Sequence, residues 1–272
     1  MITINSLRLG NSLYQSKVVE IHQNRAVVKS TLNGQEDKWP FSALQPILVH
    51  QDILKTIYGF TEQEGADGLL YCAPGFCLRQ GSGGWIVSSS FRPETRTFYF
   101  LHELENIHFA LNHQEISAYD DGKLIISQPS EGIQTQLRIG NLVFGKRVSG
   151  SGEEIIRVHE LRRSGIIYNE FRGVHTGQGV EIRHELATDD PMLYGWASGI
   201  QLIPEWVHRL GFTLVSEQHQ VYRFGKYTVR LSNKQAVLQQ EAHHFGQPFQ
   251  YIHQLQNLYY ALTGNELPIV DL

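Results

Sequence analysis

The sequence predicts an α+β protein in which one small unit, an antiparallel barrel-like sheet with two helices, occurs twice. Two stretches, 100–113 and 251–264, each contain aromatic or branched apolar residues, a His-x-Leu-x-Asn motif and a closing Ala-Leu pair. Two further stretches, 7–11 and 137–141, share the pattern Leu-Arg-x-Gly-Asn. Short alternating runs separated by tight turns follow in each half, as is typical of antiparallel strands. These repeats predict a tandem duplication with a pseudo-twofold axis.

The two longest helices are predicted at 100–113 and 251–264, at the end of each repeat. Their apolar positions follow an i, i+3, i+7, i+10 stripe, which buries one face of a helix. The stripe consists of Leu101, Leu104, His108 and Leu111 in the first helix and Ile252, Leu255, Tyr259 and Leu262 in the second. The histidines and asparagines shared by both motifs are His102, His253, Asn106 and Asn257, and we expect them to serve the fold.

A shorter helix is predicted in each repeat, at 46–60 and at 203–212. Gly59 and Gly211 suit a left-handed residue that ends a helix, and Pro204 suits a first helical turn. Strands are predicted on either side of these helices. Those before them are 17–22, 25–29, 155–160 and 165–168, and those after them are 68–72, 76–79, 84–88, 220–224, 227–231 and 236–239.

These elements divide the chain into a first repeat at 1–116, a linker at 117–136 and a second repeat at 137–272. The two repeats differ mainly in one place, because the second carries an additional segment around 169–200. One further hairpin strand is predicted in the linker.

Composition is ordinary for a globular protein, with 41% hydrophobic and 18% charged residues. A net charge of −4 gives no global attraction for nucleic acid or an anionic membrane. No apolar run is long enough to span a bilayer, and the first residues lack a signal-peptide pattern. We therefore expect a cytoplasmic protein with neither a nucleic-acid nor a membrane partner. Whether it forms a homo-oligomer is left open.

Cys72 and Cys77 flank a Pro-Gly turn. The spacing lacks the second cysteine pair of a four-sulfur metal site. A disulfide across the turn is one interpretation, and two reduced thiols are the interpretation that a cytosolic location favours.

Motifs of dedicated catalysis are not visible. His102-Glu103 and His184-Glu185 begin a metalloprotease pattern, but Asn106 and Thr188 stand where it needs a second histidine. The glycine-rich stretches 81–84 and 149–152 lack the context of a phosphate-binding loop. We predict no cofactor, no metal and no catalytic residue, and we expect a protein other than an enzyme.

Arginine, histidine and aromatic residues are concentrated in the additional segment, among flexible glycines that predict a binding loop. Aromatic faces stack on bases, and arginine forks and loop N–H groups hold phosphates. The same residue types also build ordinary cores and solvated rims, and that interpretation stays open. The candidate ligand-binding residues are Arg172, His175, Arg183, His184, Tyr194 and Trp196, together with Arg79, Trp85 and Arg92 of the first repeat, near which Arg96 and Tyr99 also lie.

The last helix, His253-Gln-Leu-Gln-Asn-Leu-Tyr-Tyr-Ala-Leu-Thr-Gly264, resembles the closing helix of small bacteriophage and prophage proteins. These proteins often open with Leu-Arg-x-Gly-Asn, as 137–141 does, and carry a helix that 203–212 approximates. The first repeat departs from the pattern at Asn112-His113. The resemblance implies a phage protein, including the immune-signal sponges of the anti-Thoeris or anti-CBASS type.

The resemblance thus favours a non-catalytic binder that sequesters a small nucleotide-derived immune signal. Cyclic ADP-ribose, an ADP-ribose conjugate and a cyclic dinucleotide are the ligands it suggests. Two alternatives stay open: an interaction or scaffold protein, and a phosphodiesterase that uses histidine as acid or base. If the additional segment binds the ligand, Trp196→Ala or Arg183→Ala should abolish binding without changing the melting temperature.

Overall fold

The computed structural model describes most of the chain, and the description that follows is confined to that part. The described residues are 2, 4–9, 11–65, 68–73, 76–88, 96–117, 125–127, 136–146, 153–162, 165–176, 179–187, 192–194, 197–241 and 243–270.

Three α-helices and a series of short strands make up these residues. The α-helices are α1 (Leu101–Asn112), α2 (Pro204–Arg209) and α3 (Ile252–Thr263). The strands of the first half are β1 (Ser12–Leu13), β2 (Ser16–Ile21), β3 (Arg25–Ser30), β4 (Glu36–Pro40), β5 (Thr61–Gly65), β6 (Gly68–Ala73), β7 (Phe76–Gly81), β8 (Gly84–Ser88), β9 (Glu115–Ser117) and β10 (Ile125–Ser127). Those of the second half are β11 (Leu142–Lys146), β12 (Glu153–Arg162), β13 (Gly165–Thr176), β14 (Gly179–Ala187), β15 (Ala197–Ser198), β16 (Thr213–Ser216), β17 (Val221–Phe224), β18 (Tyr227–Ser232), β19 (Gln235–Gln240) and β20 (His243–Phe249). Single turns of 3-10 helix lie at Ile4–Ser6 and Phe41–Ala43, and a π-helical turn lies at Ile53–Ile57.

The strands form three antiparallel sheets and one two-stranded ribbon, so the fold is α+β, as predicted. The largest sheet runs β14-β13-β12-β2-β3-β4, with β1 beside β2 and β11 between β12 and β15. A four-stranded sheet runs β5-β6-β7-β8, a five-stranded sheet runs β16-β17-β18-β19-β20, and β9 pairs with β10. The prediction of a barrel is wrong. Each described sheet stays open because the strands at its two ends do not pair with each other.

The largest sheet contains strands from both predicted repeats. β2 and β12 meet where Leu161 lies opposite Ile21, and both residues are fully buried. The two hairpins that flank this junction are alike, since β2–β3 has a bulge between Val18 and Glu20 and β12–β13 has one between Val158 and Glu160. A shared buried cluster, with Leu13 and Val28 from one half and Val143 and Leu161 from the other, covers one side of the junction.

α1 and α3 lie where the sequence predicts them, and every position of the predicted stripes is buried. The two helices pack in one core with residues of both halves, including Leu104 and Leu255. A backbone bond joins Arg96 N–H to the carbonyl of Leu262, 2.8 Å away, so the start of α1 lies near the end of α3.

The shorter predicted helices differ in outcome. Pro204 opens α2, and Gly211 has a φ of 82°, so both end signals are confirmed. At 46–60 the helix is reduced to one π-helical turn, which the Tyr58 N–H closes on the carbonyl of Ile53 at 3.2 Å. Gly59 then takes a φ of 63°, the left-handed conformation that the sequence predicts for it.

The additional segment does not form the glycine-containing binding loop that the sequence analysis expects. Most of it is the long hairpin β13–β14. The reason is the period-two alternation of Val180 and Ile182 with the charged residues Glu181 and Arg183, which is a strand pattern. The loop interpretation gave too much weight to the glycines.

Cys72 and Cys77 form a disulfide, so the prediction of two reduced thiols is wrong. The register of β6 and β7 places the two residues directly opposite each other, with their Cα atoms 4.0 Å apart. None of the described helices is long and apolar enough to cross a membrane.

Candidate functional site

The His-x-Leu-x-Asn motif of α1 holds the helix against the first turn of the chain. Asn106 donates from Nδ2 to the carbonyl of Ser6 at 2.7 Å and accepts at Oδ1 from Asn11 Nδ2 at 3.0 Å. Asn11 in turn accepts the Arg8 N–H at 2.7 Å. Glu105, beside Asn106, accepts the Ser12 N–H at 2.8 Å. The motif therefore satisfies backbone groups, the structural role that the sequence analysis expects.

α3 makes the same set of bonds with equivalent residues. Asn257 donates to the carbonyl of Gln136 at 2.7 Å and accepts from Asn141 Nδ2 at 2.9 Å. Asn141 accepts the Arg138 N–H at 2.8 Å, and Gln256 accepts the Leu142 N–H at 2.9 Å. The set around α1 has a glutamate where α3 has Gln256, and it contains two further bonds, from Arg8 Nε to Asn106 and from Asn11 Nδ2 to Glu105, each 3.2 Å long.

Both motif histidines are buried and neutral. Burial, with a smaller effect of His113, lowers the pKa of His253 to about 3. Burial also lowers the pKa of His102 to about 4, which Glu103 opposes and Arg96 reinforces. Each ring stacks on the aromatic residue two positions earlier, and neither Nδ1 has a partner within the described residues. These contacts are those of packed helix residues.

A charged cluster lies where β2 and β12 meet. His22 reaches Glu20 at 3.1 Å and Glu160 at 3.2 Å, and Arg162 donates from Nε to Glu160 at 2.7 Å. Burial raises the pKa of Glu160, but Arg162, the Gln23 N–H and His22 lower it by more, so the net shift is downward. The cluster thereby neutralises a buried carboxylate at the junction of the two halves.

Of the predicted ligand-binding residues in the first repeat, Arg79 lies on β7 and is half-buried. Trp85 on β8 is only 3% exposed, donates from Nε1 to the carbonyl of Val49 at 2.9 Å and packs edge-on against Tyr71. Its contacts are those of a core residue. Arg92 lies outside the described residues.

The other predicted residues belong to the second repeat. Arg172 and His175 lie on β13, and Arg183 and His184 lie on β14, where the description covers the backbone only. The register places Arg172 directly opposite His184, with Arg183 at the neighbouring bulge. Tyr194 is half-buried, and its hydroxyl has no partner within the described chain. Trp196 is not among the described residues.

The structure adds a cleft that the sequence analysis did not identify. It has a volume of about 540 Å³ and lies between the turn that joins β17 to β18 and the C-terminal end of α3. Tyr259 contacts Phe224 and Tyr227 edge-on, with ring centroids 5.8 and 5.6 Å apart. The lining residues are Arg96, Phe224, Gly225, Lys226, Tyr227, Tyr259, Leu262, Thr263 and Asn265.

Two cations flank these rings. The Lys226 ammonium lies 5.5 Å from the ring centroid of Tyr227. Arg96 donates from Nε to the carbonyl of Ala261 at 3.3 Å and pairs through Nη1 with Glu103 at 2.9 Å. Arg96 therefore offsets the partial negative charge at the end of α3, and its guanidinium is held in place at the mouth of the cleft.

Of the described lining residues, Arg96 is near the predicted ligand-binding set in sequence, and Tyr259 and Leu262 belong to the buried stripe predicted for the last helix. None of the nine predicted ligand-binding residues is among the described residues that line it. The sequence signal for this site is the turn Phe224-Gly225-Lys226-Tyr227, in which two aromatic residues and a lysine surround a glycine. Within the described residues, no group of three or more His, Cys, Asp or Glu side chains is arranged to hold a metal ion.

No protein-family model, no curated protein and no solved structure matches this chain.

Proposed function

We propose that the protein binds a small nucleotide-derived ligand in the cleft at the end of α3 and holds it without chemical change. The observation that carries the proposal is the meeting of Arg96 and Lys226 with three aromatic rings around one cavity. Cationic side chains bind phosphate oxygens, and aromatic rings pack against a base. A volume of about 540 Å³ is within the range of small-molecule pockets.

Preorganisation supports the same ligand class. Within the described part of the chain, the bonds to Ala261 and Glu103 use Nε and Nη1 of Arg96. The Nη2 donors of Arg96 can therefore bind an anionic ligand. A guanidinium that is already fixed loses little entropy when it binds. Phe224 is the partly exposed ring of the cleft, and it packs on Tyr259, which is buried and packs in turn on the buried Tyr227, so the ring that a base can reach is equally fixed.

The biological setting is part of the proposal. The likeness of α3 to the closing helix of phage and prophage proteins supports a phage protein that sequesters a host immune signal in the host cytosol. The candidate ligands are those named above: cyclic ADP-ribose, an ADP-ribose conjugate and a cyclic dinucleotide.

A tandem duplication also belongs to the proposal. It is supported by the two matched bond sets around Asn106 and Asn257 and by the matched bulges of β2–β3 and β12–β13. Two antiparallel contacts fit a pseudo-twofold axis, because Ile21 pairs with Leu161 and Arg8 pairs with Arg138, its counterpart in the Leu-Arg-x-Gly-Asn pattern. The cleft involves both proposed copies, since Arg96 belongs to the first and Lys226 to the second.

Titration of the protein with cyclic ADP-ribose, ADP-ribose and a cyclic dinucleotide tests the function. At least one of these nucleotides should bind the wild type. Lys226→Met and Arg96→Met should each weaken its binding at least about tenfold, which is the effect of losing one charge-assisted hydrogen bond. Lys29→Met, an exposed lysine of β3, is the matched control. Chromatography of the released ligand separates sequestration from hydrolysis, because a phosphodiesterase would return altered nucleotide.

One observation favours the interaction-protein alternative. β16 is an end strand of its sheet, and Leu214 and Val215 on it are exposed. An exposed apolar strand at a sheet edge can pair with a strand of a partner. A partner retained by the wild type and lost in Val215→Lys, with no nucleotide bound by either protein, would favour this alternative over sequestration.

A further inference from the structure

A second cavity, of about 310 Å³, lies among β1 to β4 and the turns that connect them. Two aromatic side chains in its lining are unusually open to solvent, Tyr14 at 59% and Trp39 at 39%. Tryptophan is mostly buried in folded proteins, and the other two described tryptophans, Trp85 and Trp206, are buried here. Packing in the core therefore does not account for the presence of Tyr14 and Trp39 at these exposed positions.

Strand geometry determines which charges face this cavity. Val28 lies opposite Asp37, and Ser16 lies opposite Ser30, so these residues share one face with Trp39. The lysines of the same strands alternate with them and belong to the other face. They are Lys17, Lys29 and Lys38. The cavity consequently has a carboxylate and no cation among its lining residues.

Several polar side chains in the lining are available to form hydrogen bonds with a ligand. The side chains of Asp37, Gln15 and Gln45 make no hydrogen bond or ion pair within the described residues. Amides both donate and accept hydrogen bonds, and a carboxylate accepts them. Such a set matches hydroxyl groups, each of which also donates and accepts.

Backbone bonds hold the walls of the cavity in place. Tyr14 N–H donates to the carbonyl of Gln45 at 3.0 Å, and Thr31 N–H donates to the carbonyl of Gln15 at 2.9 Å. Gln15 has a φ of 52°, the left-handed conformation that the two-residue turn between β1 and β2 requires, so the hairpin itself fixes the position of this residue.

We propose that this cavity is a binding site for a single neutral sugar ring, either free or at the end of a glycan. The apolar C–H face of the ring would pack on Trp39 and Tyr14, as apolar groups pack on aromatic faces. Asp37, Gln15 and Gln45 would bind its hydroxyls. The volume is at the lower end of the range for small-molecule pockets, which restricts the site to one ring. The site shares no residue with the cleft at the end of α3 and does not depend on the function proposed for that cleft.

The charge of the lining separates this ligand from two others. A phosphate would meet the Asp37 carboxylate with no cation of the lining to offset it. A quaternary ammonium ion would pair with the carboxylate and pack on the aromatic rings, but it would form no hydrogen bonds with the amides of Gln15 and Gln45. Three polar side chains and two rings fit a neutral ring with several hydroxyls best.

Saturation-transfer NMR with the methyl glycosides of glucose, galactose, mannose and N-acetylglucosamine tests the proposal. At least one glycoside should receive magnetisation from the wild type, with a dissociation constant that rises at least tenfold in Trp39→Ala and in Asp37→Asn. Lys38→Ala, on the other face of the same strand, is the matched control and should bind as the wild type does. Because Trp39 and Asp37 are exposed on β4, both variants should fold, which circular dichroism checks.

Three outcomes would overturn the proposal. The first is no transfer to any of the four glycosides at millimolar concentration. The second is equal binding by the wild type and Asp37→Asn. The third is binding of choline or inorganic phosphate, run as parallel probes, in preference to every glycoside.

Discussion

Arg8 and Arg138 pair across an antiparallel bridge, and each guanidinium lies over an aromatic ring of the helix in its own half. The Arg8 carbon Cζ is 3.8 Å from the ring centroid of Phe109 in α1, and that of Arg138 is 3.9 Å from Tyr260 in α3. Both arginines are buried, so cation–π contact offsets part of their desolvation. The two arginines of the Leu-Arg-x-Gly-Asn pattern thus tie both helices to one point between the halves.

Both motif asparagines should matter for stability. Asn106→Ala and Asn257→Ala should each lower the free energy of unfolding by about 1–3 kcal/mol for every buried group left without a partner. Each variant removes the donor to one backbone carbonyl and the acceptor of one asparagine amide hydrogen, and Asn106→Ala also removes one acceptor of Arg8 Nε, 3.2 Å away. Urea denaturation measures the loss. Asn265→Ala, at an exposed position after α3, is the control. A large loss in one variant and none in the other would show that the two bond sets are not equivalent.

Glu105 should be replaceable by glutamine. Burial raises the pKa of Glu105 despite the bonds from Ser12 and Asn11, and Gln256 makes the equivalent backbone bond without a charge. A carboxyl whose folded pKa is raised stabilises the fold at low pH and loses that contribution as the pH rises. Glu105→Gln should therefore be at least as stable as the wild type at pH 7, and its advantage should shrink towards pH 4.

Denaturation at the two pH values tests this. Glu105→Leu is the contrasting variant, because it removes the acceptor of the Ser12 N–H and of the Tyr58 hydroxyl, while the Asn11 amide keeps its bond to Asn106, and it should cost about 1–3 kcal/mol for each acceptor lost. If glutamine were as harmful as leucine at pH 7, the charge of Glu105 would be required.

Acid should destabilise the fold through the buried histidines. The pKa of His253 is lowered to about 3 and that of His102 to about 4, so the unfolded chain binds protons first as the pH falls below about 6.5. Each histidine should cost about 2 kcal/mol of stability between pH 7 and pH 5. His253→Asn should flatten this pH dependence, whatever its effect at pH 7. His219→Asn, at an exposed position, should leave it unchanged, and an unaltered slope in His253→Asn would contradict the assignment.

Reduction of the Cys72–Cys77 bond should lower stability modestly. The bond closes a short loop, and loop-closure entropy for that length corresponds to about 2 kcal/mol. Denaturation with and without dithiothreitol measures the difference, and the double variant Cys72→Ser with Cys77→Ser should not respond to the reductant. Alkylation of thiols at cell lysis tests the proposed cytosolic location, because disulfides are rare in reducing compartments. A fully oxidised bond would argue against it.

The helices were predictable because their signals are local. Apolar spacing placed α1 and α3, Pro204 and Gly211 marked the ends of α2, and tight turns located most of the strands. The lengths of the strands were less accessible. β14, for example, was hidden by glycines that suggested a loop, although its alternation of apolar and charged residues was present in the sequence.

The cleft depends on contacts between distant segments, which no local pattern encodes, whereas the disulfide follows from the local register of the β6–β7 hairpin. Arg96 and Lys226 are far apart in sequence and meet only because the start of α1 lies beside the end of α3. Trp85 is a predicted binding residue that the fold places in the core. Its residue type suggested a ring on which a ligand could stack, but the packing of distant segments buries it.

The central claim is that the cleft between the β17–β18 turn and α3 holds an anionic nucleotide through Lys226 and Arg96. Isothermal titration of cyclic ADP-ribose, ADP-ribose and a cyclic dinucleotide into the wild type, Lys226→Met and Lys29→Met tests it most directly. The account predicts that one nucleotide binds the wild type and Lys29→Met equally and binds Lys226→Met at least about tenfold more weakly. Equal affinity of all three proteins, or no heat with any of the nucleotides, would contradict it.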